Sequence, residues 1–315
     1  MATSAVGTEL SMMLSQLLGG AEIHGLHRLS GGASRETWRF DADDRPLILQ
    51  RQRAGDERDM LVEAGVVKAA GHAGAPVPEL IDARRRDDGM AFMVLEAIDG
   101  ETIARKILRD DDFSVARTRL VADLGAALAR IHALDASTIH GLQRTDQIEY
   151  YTGVLDELGQ PHPVLELVRN WLIDTRPESR GTSLVHGDFR LGNLIVGPDG
   201  LRAVIDWELA HLGDPMEDLG WLCVKAWRFG GQPPVAGLGE YDELFEAYEA
   251  AGGLAVDPVV VHWWEVLGTW KWAIMCIVQA SVHLNGAARS HELAAIGRRV
   301  CENEHDLLLA LEGRW

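Results

Sequence analysis

The stretch "LVHGDFRLGNLIVGPDGLRAVIDWELAHLGDP", residues 184–215, decides how the rest of the chain is read. Two aliphatic runs, "NLIV" and "LRAVID", flank a Gly-Pro-Asp-Gly turn, and this turn chemistry predicts a β-hairpin. With the turn centred on Pro198 and Asp199, Val196 faces Leu201 and Asn193 faces Val204. Asp206 then lies just past the partner of Asn193, at a diagonal spacing of about 7–8 Å. An amide oxygen and a carboxylate at one end of a ribbon, with most positions left to water and substrate, suit Mg²⁺. Asp188 lies on the loop that enters the hairpin, within reach of the same spot. A carboxylate there can accept a hydrogen bond from a substrate hydroxyl and orient it for attack. One base and two metal ligands are the equipment of phosphoryl transfer. A phosphate-ester hydrolase built on two close metals would want more carboxylates, and no obvious extra pair is present.

Upstream of this stretch the chain reads as a small antiparallel sheet. "GLHRL", the small-residue turn "SGGAS", "RETWRF", the polar turn "DADDR" and "PLILQ" give strands joined by turns. "DERDMLVEAGVVKAAGHAG" is helical, and two more strands follow around Arg-Arg-Asp-Asp-Gly, the second being "AFMVLEAI". Beyond Gly100 the texture turns helical. "FSVARTRLVADLGAALARIHAL" carries Leu120, Leu124, Leu128 and Ile131 on one stripe, with Ser114 placed to cap its start. From Tyr241 onward the chain is almost all helix. The fold class is therefore α+β in two lobes: a sheet-rich lobe over residues 1–98, a mostly helical lobe over 99–315, and a connector near residues 96–100.

Composition sets outer limits. The chain has 315 residues, 47% hydrophobic and 25% charged, as in an ordinary soluble globular protein. A formal net charge of -18 argues against general nucleic-acid binding, which needs a basic surface. Three widely spaced cysteines form neither a zinc pattern nor a disulfide framework, which points to a reducing, cytoplasmic setting. Residues 1–20 lack a basic start and carry Glu9 within their apolar part, unlike a signal peptide. The long apolar run from Val259 is interrupted by Glu265 and Lys271, so a buried helix is expected there and no membrane span. Oligomeric state is not legible.

The His-Gly-Asp, Asn and Asp pattern is similar to the protein-kinase catalytic loop followed by its metal aspartate. It resembles more closely the aminoglycoside phosphotransferase and choline kinase-like family, through His186-Gly187-Asp188, Ile205-Asp206-Trp207 and the later "GDP" and "DLGWL". In wording, "IDWELAHLGDP" is nearest to the kinase-like modules found alone or fused to acyl-CoA dehydrogenases. The resemblance implies a protein-kinase-like two-lobe fold and transfer of a phosphate from ATP or GTP, with Mg²⁺, to a hydroxyl of a small molecule. Aminoglycoside, choline and hydroxyacyl acceptors stay open, as do sugars and macrolides. The alternative is a catalytically weak nucleotide-binding regulatory module.

It also implies roles for further residues. His186 is mainly architectural. Arg190 stands where protein kinases commonly place a lysine near the transferred phosphate, beside the plainer reading of a surface arginine. Gly31, Gly32 and Ser34 would cover the phosphates, since glycines let backbone N–H groups approach closely. The strand lysine is absent: "PLILQRQ" offers Gln50 and Arg51, which alternation sends to opposite faces. Arg51 is preferred for its charge, with Glu63 on the following helix as its ion-pair partner. Glu96 and Ile98 would receive the nucleotide base through backbone groups. Asp214 and Asp218 are expected to be structural, and Trp263, Trp264, Trp270 and Trp272 to be core before pocket.

Overall fold

The computed structural model describes residues 5–29, 35–53 and 58–314. The helix α1 (Ala5–Leu17) leads into β1 (Ile23–Arg28), β2 (Arg35–Ala42) and β3 (Arg45–Gln52), then α2 (Met60–His72), β4 (Leu80–Arg85) and β5 (Ala91–Glu96). These five strands form one antiparallel sheet in the order β1-β2-β3-β5-β4. Alternation divides its two faces. Phe40, Leu47, Leu49 and Val94 pack against Leu10 and Leu14 of α1 on the outer face. Met93 and Leu95 join Met60, Ala64 and Val67 of α2 on the other face, called the cleft face because Arg35 approaches Glu208 of the helical lobe from it (3.8 Å). The cap of α2 is Asp59, whose side chain accepts from the Leu61 amide.

Helices follow: α3 (Ala104–Arg109), α4 (Ser114–Arg117), α5 (Leu120–His132), α6 (Gln147–Leu158) and α7 (Pro163–Asp174). The single helix expected over residues 113–134 is broken at residues 118–119, and Ser114 makes no capping bond. Arg117 explains the break, because it donates to the Ile107 and Asp110 carbonyls and ties α4 back to α3. The stripe Leu120, Leu124, Leu128 and Ile131 is fully buried as expected.

Short strands β6 (Ser183–Val185), β7 (Leu194–Gly197), β8 (Gly200–Val204) and β9 (His211–Gly213) come next, with β7 and β8 forming the expected hairpin. Val196 faces Leu201, but Ile195 faces Ala203, so Arg202 is bulged out of the ladder. The bulge shifts the register by one residue. Asn193 therefore bonds through its carbonyl to the Ile205 amide (2.9 Å) and not to Val204. The chain closes with α8 (Met216–Cys223), α9 (Tyr241–Ala250), α10 (Pro258–Leu284), α11 (His291–Ile296) and α12 (Arg299–Leu311). The helix α10 runs 27 residues from its Asp257 cap, with Glu265 and Lys271 both buried inside the protein. Among the described residues no helix is long and apolar enough to cross a membrane. It crosses α8 at Gly220, where a Cβ would meet the Glu265 amide at 2.8 Å.

Candidate active site

The loop between β6 and β7 is fixed before it reaches Asp188. Gly187 has φ +78°, and a Cβ there would lie 2.5 Å from the Leu209 carbonyl, so only glycine fits. Asp218 of α8, fully buried, accepts from the His186 and Gly187 amides (2.8 and 2.9 Å) and pairs with His132 (3.1 Å). Burial pushes its carboxyl up, but His132 and the amides outweigh that and hold it below the usual range. His186 takes the Asp188 amide on Nδ1, which leaves Nε2 to donate to the Ile205 carbonyl (3.1 Å). It thereby ties the Asp188 loop to the hairpin end beside Asp206. Complete burial lowers its pKa and keeps the ring neutral.

Asp188 is the focus of this scaffold. Its Oδ1 accepts from Trp221 Nε1 and Arg190 Nε, both at 3.0 Å, and its Oδ2 from Asn193 Nδ2 at 2.6 Å. Asn193 Nδ2 also donates to the Asp188 carbonyl (2.9 Å), so the amide oxygen is the end available to a ligand. The Arg190 guanidinium lies 4.9 Å from the Trp227 ring centre. Beneath the loop, Lys271 donates to the Gly187 carbonyl (3.1 Å), stands over Trp221 (4.7 Å) and is 3.6 Å from Glu217. Burial alone would lower the Lys271 pKa, but Tyr151, Glu217 and Asp188 reverse that and raise it.

Asp206 follows β8 with φ 67°, a left-handed conformation that is strained for a non-glycine residue. Burial, then the charges of Glu208, Asp188 and Glu63, push its carboxyl up to about 7. A cation bound here would relieve this crowding of carboxylates. One carboxylate and one amide oxygen, with room for water and phosphates, fit Mg²⁺ better than a metal needing a full protein cage. Among the described residues no group of three or more His, Cys, Asp or Glu is arranged to hold a metal.

On the sheet side, the register settles Gln50 and Arg51. Gln50 lies across from Thr37 and Met93 on the cleft face, while Arg51 lies across from Glu36 on the outer-face parity. Arg51 is 3.8 Å from Glu36. The expected Arg51–Glu63 pair is thus corrected: Glu63, buried on α2, contacts Arg35 of β2. Arg35 is also 3.8 Å from Glu208, which pairs with Arg58 at 2.8 Å. In the connector, the Glu96 and Ala97 amides bond to the Glu79 and Pro46 carbonyls, and the Ile98 amide makes no bond among the described residues. Gly31, Gly32 and Ser34 lie outside the described residues.

Sequence reasoning missed Arg35, Trp221 and Lys271 as members of this site. Lys271 had a signal, since a lone lysine in an apolar helix must find buried partners. Trp270 donates to the Leu165 carbonyl within the core, as expected, and Trp272, also buried, meets Trp227 at a tilt (ring centres 4.7 Å apart), one ring from Arg190. Asp214 caps locally, accepting from the Met216 and Arg180 amides.

The sequence pattern of the phosphotransferase enzyme family matches residues 25–257. This chain belongs to that family. Acyl-CoA dehydrogenase family member 11 of Rattus norvegicus is 32% identical over 265 residues, covering 74% of this chain and 33% of the relative. Family member 10 of Mus musculus is 28% identical over 227 residues, covering 67% of this chain and 21% of the relative. The chain thus spans only a third or less of these relatives. A Ralstonia eutropha structure provisionally assigned as an aminoglycoside phosphotransferase superposes with TM-score 0.76 at 21% identity, covering 97% of this chain and 98% of the other. A choline kinase of Streptococcus pneumoniae gives TM-score 0.67 at 18% identity, over 96% and 100%. An aminoglycoside phosphotransferase in ternary complex with ADP and hygromycin B gives 0.63 at 17%, over 94% and 98%. At these identities the likeness is one of fold: a kinase-like α+β protein with a sheet lobe and a helical lobe. The family supports small-molecule phosphotransferase activity.

Proposed function

We propose that this phosphotransferase uses ATP and Mg²⁺ to phosphorylate a hydroxyl of a small molecule. The observation that carries the reading is the convergence on Asp188, gripped by Asn193, Trp221 and Arg190 beside the hairpin end that bears Asp206. Asp188 accepts the hydrogen bond of the acceptor hydroxyl and aims its oxygen at the phosphate. Its fixed carboxylate needs little reorganisation, which is where positioning contributes to rate. Arg190 is near enough to neutralise charge developing on the transferred group. Asn193 Oδ1 and Asp206 would hold Mg²⁺, which when bound screens the phosphate charges. Residues 1–98 would serve the nucleotide, with the Ile98 amide receiving its base, and residues 99–315 the acceptor. The unpaired Cys223, Cys276 and Cys301 suit a reducing, cytoplasmic setting.

For the acceptor, the protein's own cations matter. Arg190 sits over Trp227, and Lys271 over Trp221 and Tyr151, so these rings already have cationic partners. Glu217 is paired with His211 and Asp218 with His132. That favours a neutral or acidic hydroxyl compound over a cationic aminoglycoside or choline, and hydroxyacyl compounds come first in the test because the relatives are named for acyl-CoA dehydrogenases. The regulatory-module reading rested on the absent strand lysine, and a buried Arg35 in the same cleft weakens it. The test is ATP consumption, with GTP in parallel, across hydroxyacyl compounds, amino alcohols, aminoglycosides, sugars and macrolides, with Asp188→Ala as the blank. Stimulation by one class in wild type alone supports the proposal. Equal turnover by the blank rejects Asp188 as the base.

A further inference from the structure

The position of the missing strand lysine holds Gln50, yet the cleft still contains a cation. Arg35 opens β2 directly after the glycine-bearing segment, lies across from Gln52 and shares the cleft face with Gln50. Its side chain is only 5% exposed. The guanidinium contacts Glu63 of α2 and stands 3.8 Å from Glu208, two residues beyond Asp206. One side chain therefore touches both the helix behind the sheet and the segment that carries the expected metal ligand.

Two carboxylates balance its charge but do not satisfy its donors. Arg35 Nε is buried with no hydrogen-bond partner among the described residues. On the same face, Gln50 Oε1 is buried in the same condition. Unpartnered buried polar atoms are rare in folded proteins, and a pair of them on one face of a cleft points to a missing ligand. The planar guanidinium can hold Glu63 with one edge and present a fork of parallel donors to phosphate oxygens with another, a bidentate geometry that a lysine point charge does not offer.

We propose that Arg35 is the phosphate-binding cation of the nucleotide site, supplied from β2 in place of the lysine that the kinase pattern puts on β3. This rests on the phosphotransferase reading above. Glu63 and Glu208 keep the guanidinium oriented, and the phosphates complete its hydrogen bonding.

The test is calorimetric binding of Mg²⁺–ADP and of adenosine, which lacks phosphates, to wild type, Arg35→Met, Arg35→Lys and Arg51→Met. Loss of a charge-assisted contact predicts Mg²⁺–ADP binding about tenfold or more weaker in Arg35→Met, with adenosine binding little changed. Arg35→Lys should recover part of the loss, and Arg51→Met should match wild type. If Arg35→Met does not fold, Arg35→Lys decides, because it keeps the charge and loses the fork: weaker Mg²⁺–ADP with normal adenosine supports the assignment. Wild-type Mg²⁺–ADP affinity in the Arg35 variants overturns it. So does equal loss of both ligands, which would make Arg35 a structural clasp only. A wild type that binds neither ligand overturns the nucleotide reading and this assignment together.

Discussion

The Asp188 loop and the cleft face of the sheet are built on opposite plans. In the loop, Asp188 accepts from three side chains, Asp218 accepts from two amides and His132, and His186 uses both ring nitrogens. In the sheet, Arg35 Nε and Gln50 Oε1 are buried without hydrogen-bond partners among the described residues. The first region is held in place before any substrate arrives, as suits groups that must act with little reorganisation. The second has polar valence left over, as suits a surface that a ligand completes. On the proposed reading, chemistry belongs to the helical lobe and phosphate binding to the sheet, and substitutions in each should fail differently.

The largest effect is expected at Asp188. Asp188→Asn keeps the shape but cannot take the hydroxyl proton's hydrogen bond as a carboxylate does, and turnover should fall by ~10²–10⁴. Mg²⁺–ADP affinity should hardly change, because the sheet is untouched. Steady-state rates alongside calorimetry check both. A variant that loses nucleotide affinity instead would break the division between the two regions.

Next comes Asp218, which acts on the loop through stability. Asp218→Ala leaves His132 and two amides without their buried acceptor, and breaking such an arrangement costs about 3–5 kcal/mol. The pH dependence has a definite sign. A carboxyl held below its ordinary value contributes stability at all pH above that value and loses it as pH falls through the lowered one. Denaturant curves of wild type and variant should therefore differ fully at neutral pH and converge only in acid. A difference that grows in acid would show that the carboxylate is not what holds the loop.

Legibility follows the same division. Asp188, Asn193 and Asp206 lie within one short stretch whose turn chemistry could be read directly, and only the Arg202 bulge shifted the register. The two-faced sheet and the buried α10 were likewise legible from alternation and from charges interrupting an apolar run. The cleft cation was not. Identifying it needs the pairing of β2 with β3, which sets Glu36 against Arg51 on one face and Arg35 with Gln52 on the other. A one-residue choice on β3 moves a side chain through the sheet, and charge alone favoured the wrong face. Trp221 reaches Asp188 from α8, on a different element, a tertiary fact with no local pattern.

A smaller effect, of opposite sign, is expected at Asp206. Its carboxyl is raised from 3.8 to about 7 in the folded protein, so the folded state holds a proton that the unfolded chain releases. Metal-free stability should fall as pH rises from about 4 to about 7 and level off above that. Asp206→Asn removes this penalty. Its Tm should exceed that of wild type by a few degrees above pH 7, with the two meeting near pH 4. Added Mg²⁺–ADP should raise the wild-type Tm more than the variant's. Parallel pH profiles for the two proteins would mean that the carboxylate crowding does not bear on folding.

Arg51 should show the smallest effect. It sits on the outer face of β3, partly exposed, 3.8 Å from a half-exposed Glu36, and an ion pair of that kind contributes about 0–1 kcal/mol. Arg51→Met should leave the denaturation midpoint nearly unmoved and Mg²⁺–ADP affinity within about twofold of wild type, since a partly exposed pair 3.8 Å apart on the far face adds little. The value of so small a change lies in its neighbour. Arg51 and Gln50 are adjacent in sequence, and only the pleat of β3 puts them on opposite sides of the sheet. If Arg51→Met weakened nucleotide binding as much as Arg35→Met, the guanidinium on the outer face would have to reach the ligand around the end of the sheet. The cleft face would then no longer be the surface that a nucleotide completes.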